Sequence, residues 1–170
     1  MLTRLSGIAV LYIAMLLSSC NFNKKEDCIL LDSKIATTND SLLQYGNHWG
    51  EELEISVNTL DFSGLKPIRL EMLAFIDRKL VEVKEIENVG KADELLKTEL
   101  EFLAVEREIV TEKLAVFERF TDSVKMDELS AAYAGMQRSA IKEQDMLEKL
   151  HKLRDDYAER NGIPKYIERY

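Results

Sequence analysis

The residues best suited to metal chemistry are a glutamate and a histidine near the C-terminal end, Glu148 and His151. On a helix, a glutamate followed three positions later by a histidine supplies two ligands in four-helix di-iron and di-manganese proteins. Such a site needs the motif twice, plus a glutamate from each of two other helices. The second histidine of the chain, His48, is followed by Glu51 instead of being preceded by a glutamate. We interpret Glu148 and His151 as part of a salt-bridged surface face, keep a metal site as the alternative and expect no cofactor.

A second candidate site is the segment 45–50, in which Gly46 and Gly50 flank His48 and the only tryptophan, Trp49. Each glycine costs ~1 kcal/mol relative to alanine inside a helix. The segment therefore predicts a break, a kink or a close approach by another helix. An exposed Trp49 and His48 at a break would form a ligand-binding site, whereas a buried Trp49 would fill the core.

The third group consists of carboxylates that alternate with basic residues in the middle of the chain. Because they mostly avoid the apolar stripe of their helix, we interpret them as a solvated helix face. No Ser-His-Asp or Cys-His arrangement, phosphate-binding glycine loop or zinc spacing is evident, so we expect no enzymatic activity. The carboxylates are Glu99, Glu101, Glu106, Glu108 and Glu112.

The elements that must position these residues are helices. Glycine and proline are scarce, and apolar residues recur at spacings of three and four, which is typical of amphipathic helices. We predict an all-α fold in which short connections favour an antiparallel up-down-up-down four-helix bundle. The predicted helices span residues 38–60, 67–88, 92–120 and 127–160.

The clearest repeat lies in the third predicted helix, where apolar residues recur every seven positions. A second series runs one residue earlier, so the apolar stripe is broad, and it suits a multi-helix bundle better than a two-stranded coiled coil. Self-association through this helix is an alternative. The two series are Leu96, Leu103, Val110, Phe117 and Val124, and Leu95, Phe102, Ile109 and Val116.

The N-terminus carries the most specific pattern. Arg4 precedes an apolar run at residues 7–17, and Leu-Ser-Ser stands directly before Cys20. This order resembles the signal peptide and lipobox of bacterial lipoproteins. The resemblance implies cleavage before Cys20 and acylation of that residue with fatty acids such as palmitate. A membrane-spanning helix is disfavoured, because about 13 apolar residues cover ~20 Å of a ~30 Å hydrocarbon core.

These observations predict a signal peptide at residues 1–19, a lipidated tether at 20–36, a bundle at 37–163 and a C-terminal tail at 164–170. The tether contains the charged run Lys-Lys-Glu-Asp at residues 24–27, which is either a solvated spacer or a tag for surface export. Cys28 is predicted to be a buried small hydrophobe, with a reactive thiol as the alternative.

The net charge of the chain and its predicted lipid anchor restrict the classes of partner that it can bind. A formal net charge of −8 argues against nucleic acid and against electrostatic attachment to anionic lipids. Asn21 follows the acylated position, so the inner-membrane retention associated with aspartate there is not indicated. We expect a lipid-anchored outer-membrane protein on the periplasmic face or the cell surface. It would bind an envelope or extracellular protein through a helix face; the alternative is a ferritin-like bundle that binds a metal or a small apolar ligand between its helices.

Overall fold

Helices account for all the regular structure in the part of the chain that the computed structural model describes, residues 5–165, with side chains described from residue 24 onward. The all-α fold class and the four long helices predicted from the sequence are confirmed. In chain order the elements are α1 (Leu5–Thr59), α2 (Leu65–Lys84), α3 (Asp93–Glu108), a π-helical turn (Ile109–Lys113), a 3-10 helix (Leu114–Arg119) and α4 (Met126–Asn161).

The apolar faces of the four helices form one bundle core. The seven-residue series of the third predicted helix supplies its centre, since Leu103, Val110 and Phe117 are fully buried. Leu150 and Tyr157 of α4 are equally buried and complete this part of the core. The broad stripe predicted from the sequence therefore faces several helices at once.

The bundle begins earlier in the chain than the sequence predicted. Cys28, Leu31 and Ile35 recur at helical spacing on α1, and all three are buried in the core. The predicted tether at residues 20–36 is therefore wrong in its second half. Asp32, a charged residue of this segment, is buried against Arg154 of α4, whose Nε lies 3.0 Å from the Asp32 Oδ1 atom. A partner 122 positions away cannot be read from local spacing.

The loop between α2 and α3 is held by the end of α4. The Tyr157 hydroxyl donates a hydrogen bond to the Val89 carbonyl, and the Asn161 side chain donates one to the Gly90 carbonyl. Gly90 has a φ of +61°, and a Cβ there would lie 2.7 Å from the Cys28 sulfur. Gly90 thus has the left-handed conformation, and α2 ends at Lys84 and not near residue 88 as predicted. The predicted burial of Cys28 is also confirmed.

The third predicted helix is not uniform. It is α-helical to Glu108, then makes the π-helical turn and finishes as the 3-10 helix. A π-helical turn widens a helix by one residue and often occurs at functional sites. Ile109, Val110, Leu114 and Phe117 all remain buried through this change of pitch, so the irregular segment keeps its apolar residues on the core side.

The N-terminal predictions fall largely outside the described side chains. The predicted signal peptide at residues 1–19 and the side chain of Cys20 belong to this part. Across the described residues, no helix combines the length and the apolar character that crossing a membrane requires.

The early start of the bundle is testable with Asp32→Ala. Removing one partner of a buried ion pair leaves the other charge poorly compensated, so we expect the free energy of unfolding to fall by roughly 3 kcal/mol. The matched control is Asp155→Ala, which breaks an exposed ion pair with Lys165 and should cost less than about 1 kcal/mol. Chemical denaturation measures both values. Equal, small effects would show that residues 28–36 lie outside the cooperative fold.

Candidate ligand-binding cavity

A cavity of about 320 Å³ opens between α1 and α4, with α3 and its π-helical turn behind it. Its walls are mostly apolar, and its volume lies at the small end of the range of about 300–1,000 Å³ found for small-molecule sites. The mouth is formed by exposed residues of α1 and by Ala140 of α4. The apolar wall includes Leu42, Trp49, Leu53, Met72, Phe102, Ile109 and Leu147.

Two glycines form the α1 side of this mouth. Helix α1 is continuous through Gly46 and Gly50, and a Cβ built on either would have no atom within 4 Å. The predicted break and the predicted close approach by another helix are therefore wrong. Each glycine weakens the helix without making room for a neighbouring element. Their effect is to leave the cavity open where side chains would otherwise stand.

Trp49 forms part of the cavity and of the core. It is 3% exposed and packs edge-to-face on Phe117, with ring centroids 5.5 Å apart. The indole Nε1 is buried and has no hydrogen-bond partner within the described part of the chain. Trp49 is therefore the one ligand candidate from the sequence that lines the cavity. His48, the other candidate, is exposed and is not part of the cavity wall.

A pair of carboxyl groups provides the strongest polar feature of the cavity. Glu106 of α3 is 3% exposed, and it lines the cavity together with half-buried Glu143 of α4. Burial, with smaller contributions from the charge and hydrogen bonding of Glu143, raises the pKa of Glu106 to about 8. Burial also raises the pKa of Glu143, and its hydrogen bond with Glu106 offsets part of that rise. At neutral pH, Glu106 thus holds a proton that it donates to Glu143.

A second buried carboxyl lies behind the cavity wall. Both oxygens of Glu99 and both polar atoms of the Asn39 side chain, which lines the cavity, lack a hydrogen bond of good geometry among the described residues. Burial raises the pKa of Glu99 to about 8, and the nearby Asn39 amide and Arg154 charge lower it only in part. Unpartnered buried polar atoms cost about 1–3 kcal/mol each, so this site departs from ordinary core packing.

The sequence analysis placed Glu99 and Glu106 on a solvated face, and this prediction is wrong. Glu101, Glu108 and Glu112 are exposed as expected, whereas Glu99 and Glu106 are buried. The missed signal is local: every position three or four residues away from either buried glutamate is apolar. These neighbours are Leu95, Leu96, Phe102 and Leu103 for Glu99, and Phe102, Leu103, Ile109 and Val110 for Glu106.

The metal candidates are not brought together with other ligand-type residues. Glu148 is exposed and accepts a hydrogen bond from the Gln144 side chain at 3.2 Å. His151 is half-buried one turn further along α4. Within the described residues, no group of three or more acidic, histidine or cysteine side chains has the arrangement of a metal site.

A larger groove, of about 570 Å³, lies between the N-terminal part of α1 and the end of α2. Its lining carries charges of both signs, and one pair of them, Lys79 Nζ and Glu82 Oε2, lies 2.6 Å apart. Because the groove has no unpartnered buried polar atom in the described chain, the glycine-walled cavity is the better candidate site.

The buried carboxyls make stability depend on pH. In the folded chain, Glu99 and Glu106 each have a pKa of about 8, whereas the ordinary value of 4.5 applies in the unfolded chain. Folding is therefore accompanied by proton uptake between pH 4.5 and 8. The free energy of unfolding should fall as the pH rises from 4.5 to 8, by up to about 1.4 kcal/mol per pH unit for each carboxyl.

Denaturant unfolding across this pH window measures the slope. Glu99→Gln removes one titrating group, so its slope should be shallower than that of the original protein. Glu101→Gln, on the exposed face of the same helix, should leave the slope unchanged. A slope that is the same in all three proteins would contradict the assignment of a proton to buried Glu99.

Comparison of this chain with known protein families, curated proteins and solved structures gives no match.

Proposed function

We propose that this chain is a lipid-anchored protein of a bacterial envelope whose helical bundle binds a small amphipathic ligand in the glycine-walled cavity. One observation carries the proposal: an open, mostly apolar cavity is bordered by buried polar atoms of Trp49, Asn39 and Glu106 that have no hydrogen-bond partner among the described residues. Apolar walls with a few convergent polar groups are typical of small-molecule sites. The role proposed is binding without catalysis.

The proposed architecture is the antiparallel up-down-up-down bundle. Its support comes from the short connections at residues 60–64, 85–92 and 120–125, which favour antiparallel neighbours. In this arrangement the cavity lies between the first and last helices of the bundle.

The proposed anchor is a set of acyl chains on Cys20, inserted into the outer membrane. The support is the order of Arg4, the apolar run at residues 7–17 and the Leu-Ser-Ser that precedes Cys20. Two or three acyl chains hold a protein on a membrane far better than one. Since the packed bundle begins at Cys28, the tether outside the membrane would be short.

Binding of an envelope or extracellular protein through a helix face is the second proposal and rests on the sequence pattern. Exposed large apolar residues come from several elements, and single residues of this kind are normal on a protein surface. They favour this proposal less strongly than the cavity favours a small ligand. They are Ile29, Leu30, Leu43, Ile55, Leu60, Leu70, Val81, Met126 and Ile141.

Ligand binding is testable through Trp49, because it is the only tryptophan of the chain and lines the cavity. A neutral long-chain alcohol with a terminal bromine should quench its fluorescence in a saturable manner. Gly46→Leu, which places a side chain in the cavity mouth, should weaken this binding at least about tenfold. The replacement should not lower the free energy of unfolding, since leucine favours a helix more than glycine does.

The control is Gly135→Leu on α4, where a Cβ would meet only the flexible end of the Arg138 side chain at 3.9 Å and which is not part of the wall of this cavity. This variant should bind the alcohol like the original protein. Quenching that is absent, or that is unchanged by Gly46→Leu, would contradict ligand binding in the cavity.

The anchor is testable with Cys20→Ser. The variant cannot form a thioether with lipid, so it should leave the membrane fraction and appear with the soluble proteins after cell fractionation. Cys28→Ser is the control and should stay in the membrane fraction. A Cys20→Ser protein that remains membrane-bound would show that something other than acylation holds it.

A further inference from the structure

Building on the proposed function, we infer that the ligand of the glycine-walled cavity is a single-chain amphiphile whose polar head is a primary ammonium, bound by the carboxyl groups of Glu106 and Glu143. This inference specifies the chemical class of the ligand, which an apolar cavity alone does not determine.

The charge of the cavity favours a cation. Among its described lining residues, Glu106 and Glu143 are the ionisable ones, and no lysine, arginine or histidine borders it. Any charge that this pair of carboxyls carries is therefore negative and lies in a largely apolar setting. Burying a charge is costly unless it is paired. An ammonium group at this position provides the pairing that no described lining residue supplies.

The hydrogen-bonding groups favour a head with several donors. Glu106 Oε1 is buried and has no hydrogen-bond partner among the described residues. A primary ammonium has three N–H donors and no acceptor, so it can donate to this oxygen and to the Glu143 carboxyl group together. A carboxylate head would instead place a negative charge and two more acceptors beside the two carboxyl groups.

The shape of the cavity favours one alkyl chain. The volume of about 320 Å³ is small for a ligand site, and side chains such as Leu53, Met72 and Leu114 form an apolar wall. The mouth at Gly46 and Gly50 opens to solvent, so an amphiphile can enter without unfolding a helix. A two-chain lipid exceeds this space.

The test uses the full-length chain in phosphatidylcholine discs and three bromine-tipped probes with the same eleven-carbon tail: an amine, an alcohol and a carboxylate. Quenching of Trp49 gives each dissociation constant, and Gly46→Leu corrects for partition into lipid. We expect the amine to bind about tenfold more tightly than the alcohol, and the carboxylate to bind more weakly than both.

The double variant Glu106→Gln with Glu143→Gln removes the charge but keeps the shape of both side chains. It should reduce the preference for the amine over the alcohol to within about twofold while leaving the alcohol bound, which also shows that the variant is folded. Glu112→Gln, an exposed carboxylate on the neighbouring helical segment, is the control and should keep the full preference.

The outcomes separate the two proposals. If the alcohol does not quench Trp49 in the original protein, ligand binding in the cavity itself is wrong. If the alcohol binds and the amine binds no better, or the carboxylate binds best, the cavity stands and the ammonium inference is overturned. The inference is also overturned if the amine preference survives in the double glutamine variant.

Discussion

A carboxyl group inside an apolar core must keep its proton or obtain a cation, and this constraint governs the bundle interior. Glu99 and Glu106 lie two helical turns apart on the face of α3 that packs into the core. The nearest buried cation, Arg154, already forms an ion pair with Asp32. Burial therefore raises the pKa of both glutamates to about 8. A buried carboxyl of this kind adds nothing to core packing that leucine would not add, so its presence calls for a functional explanation.

The cavity beside Glu106 arises from two local departures from regular helix structure. Gly46 and Gly50 remove side chains from α1, and the π-helical turn widens the segment behind the cavity, where Ile109 and Leu114 form part of its wall. Each departure lowers local stability and neither improves packing. Conflicts between local preference and the global fold are expected at functional sites. Both departures from regular helix structure occur at this one cavity, and this distinguishes it from the larger groove between α1 and α2.

Much of the fold could be predicted from the sequence because its signals are local. The spacing of Leu103, Val110 and Phe117 identified the core of the bundle, and the predicted end of the last helix at residue 160 lies within one residue of the observed end at Asn161. The early start of the bundle was missed, although Cys28, Leu31 and Ile35 recur at helical spacing. The burial of Asp32 in the same segment had no local signal, because its partner Arg154 is far away in the chain.

The candidate site was only partly predictable. The glycines and Trp49 were singled out by residue type, but propensity cannot show whether a helical glycine faces a neighbour, solvent or a cavity. Glu106 carried a readable signal in its four apolar helical neighbours. The pairing of Glu106 with Glu143 had no signal in the sequence, because it depends on how α3 and α4 are aligned. The resemblance at the N-terminus concerns Cys20, whose side chain lies outside the described residues.

The most direct measurement is the carbon NMR signal of the Glu106 and Glu143 carboxyls during a pH titration, with and without a long-chain amine. The account predicts that Glu106 is protonated at neutral pH, titrates near 8 in the free protein and loses its proton at lower pH when the amine is bound. Carboxyl signals that titrate near 4.5 and do not respond to the amine would contradict it.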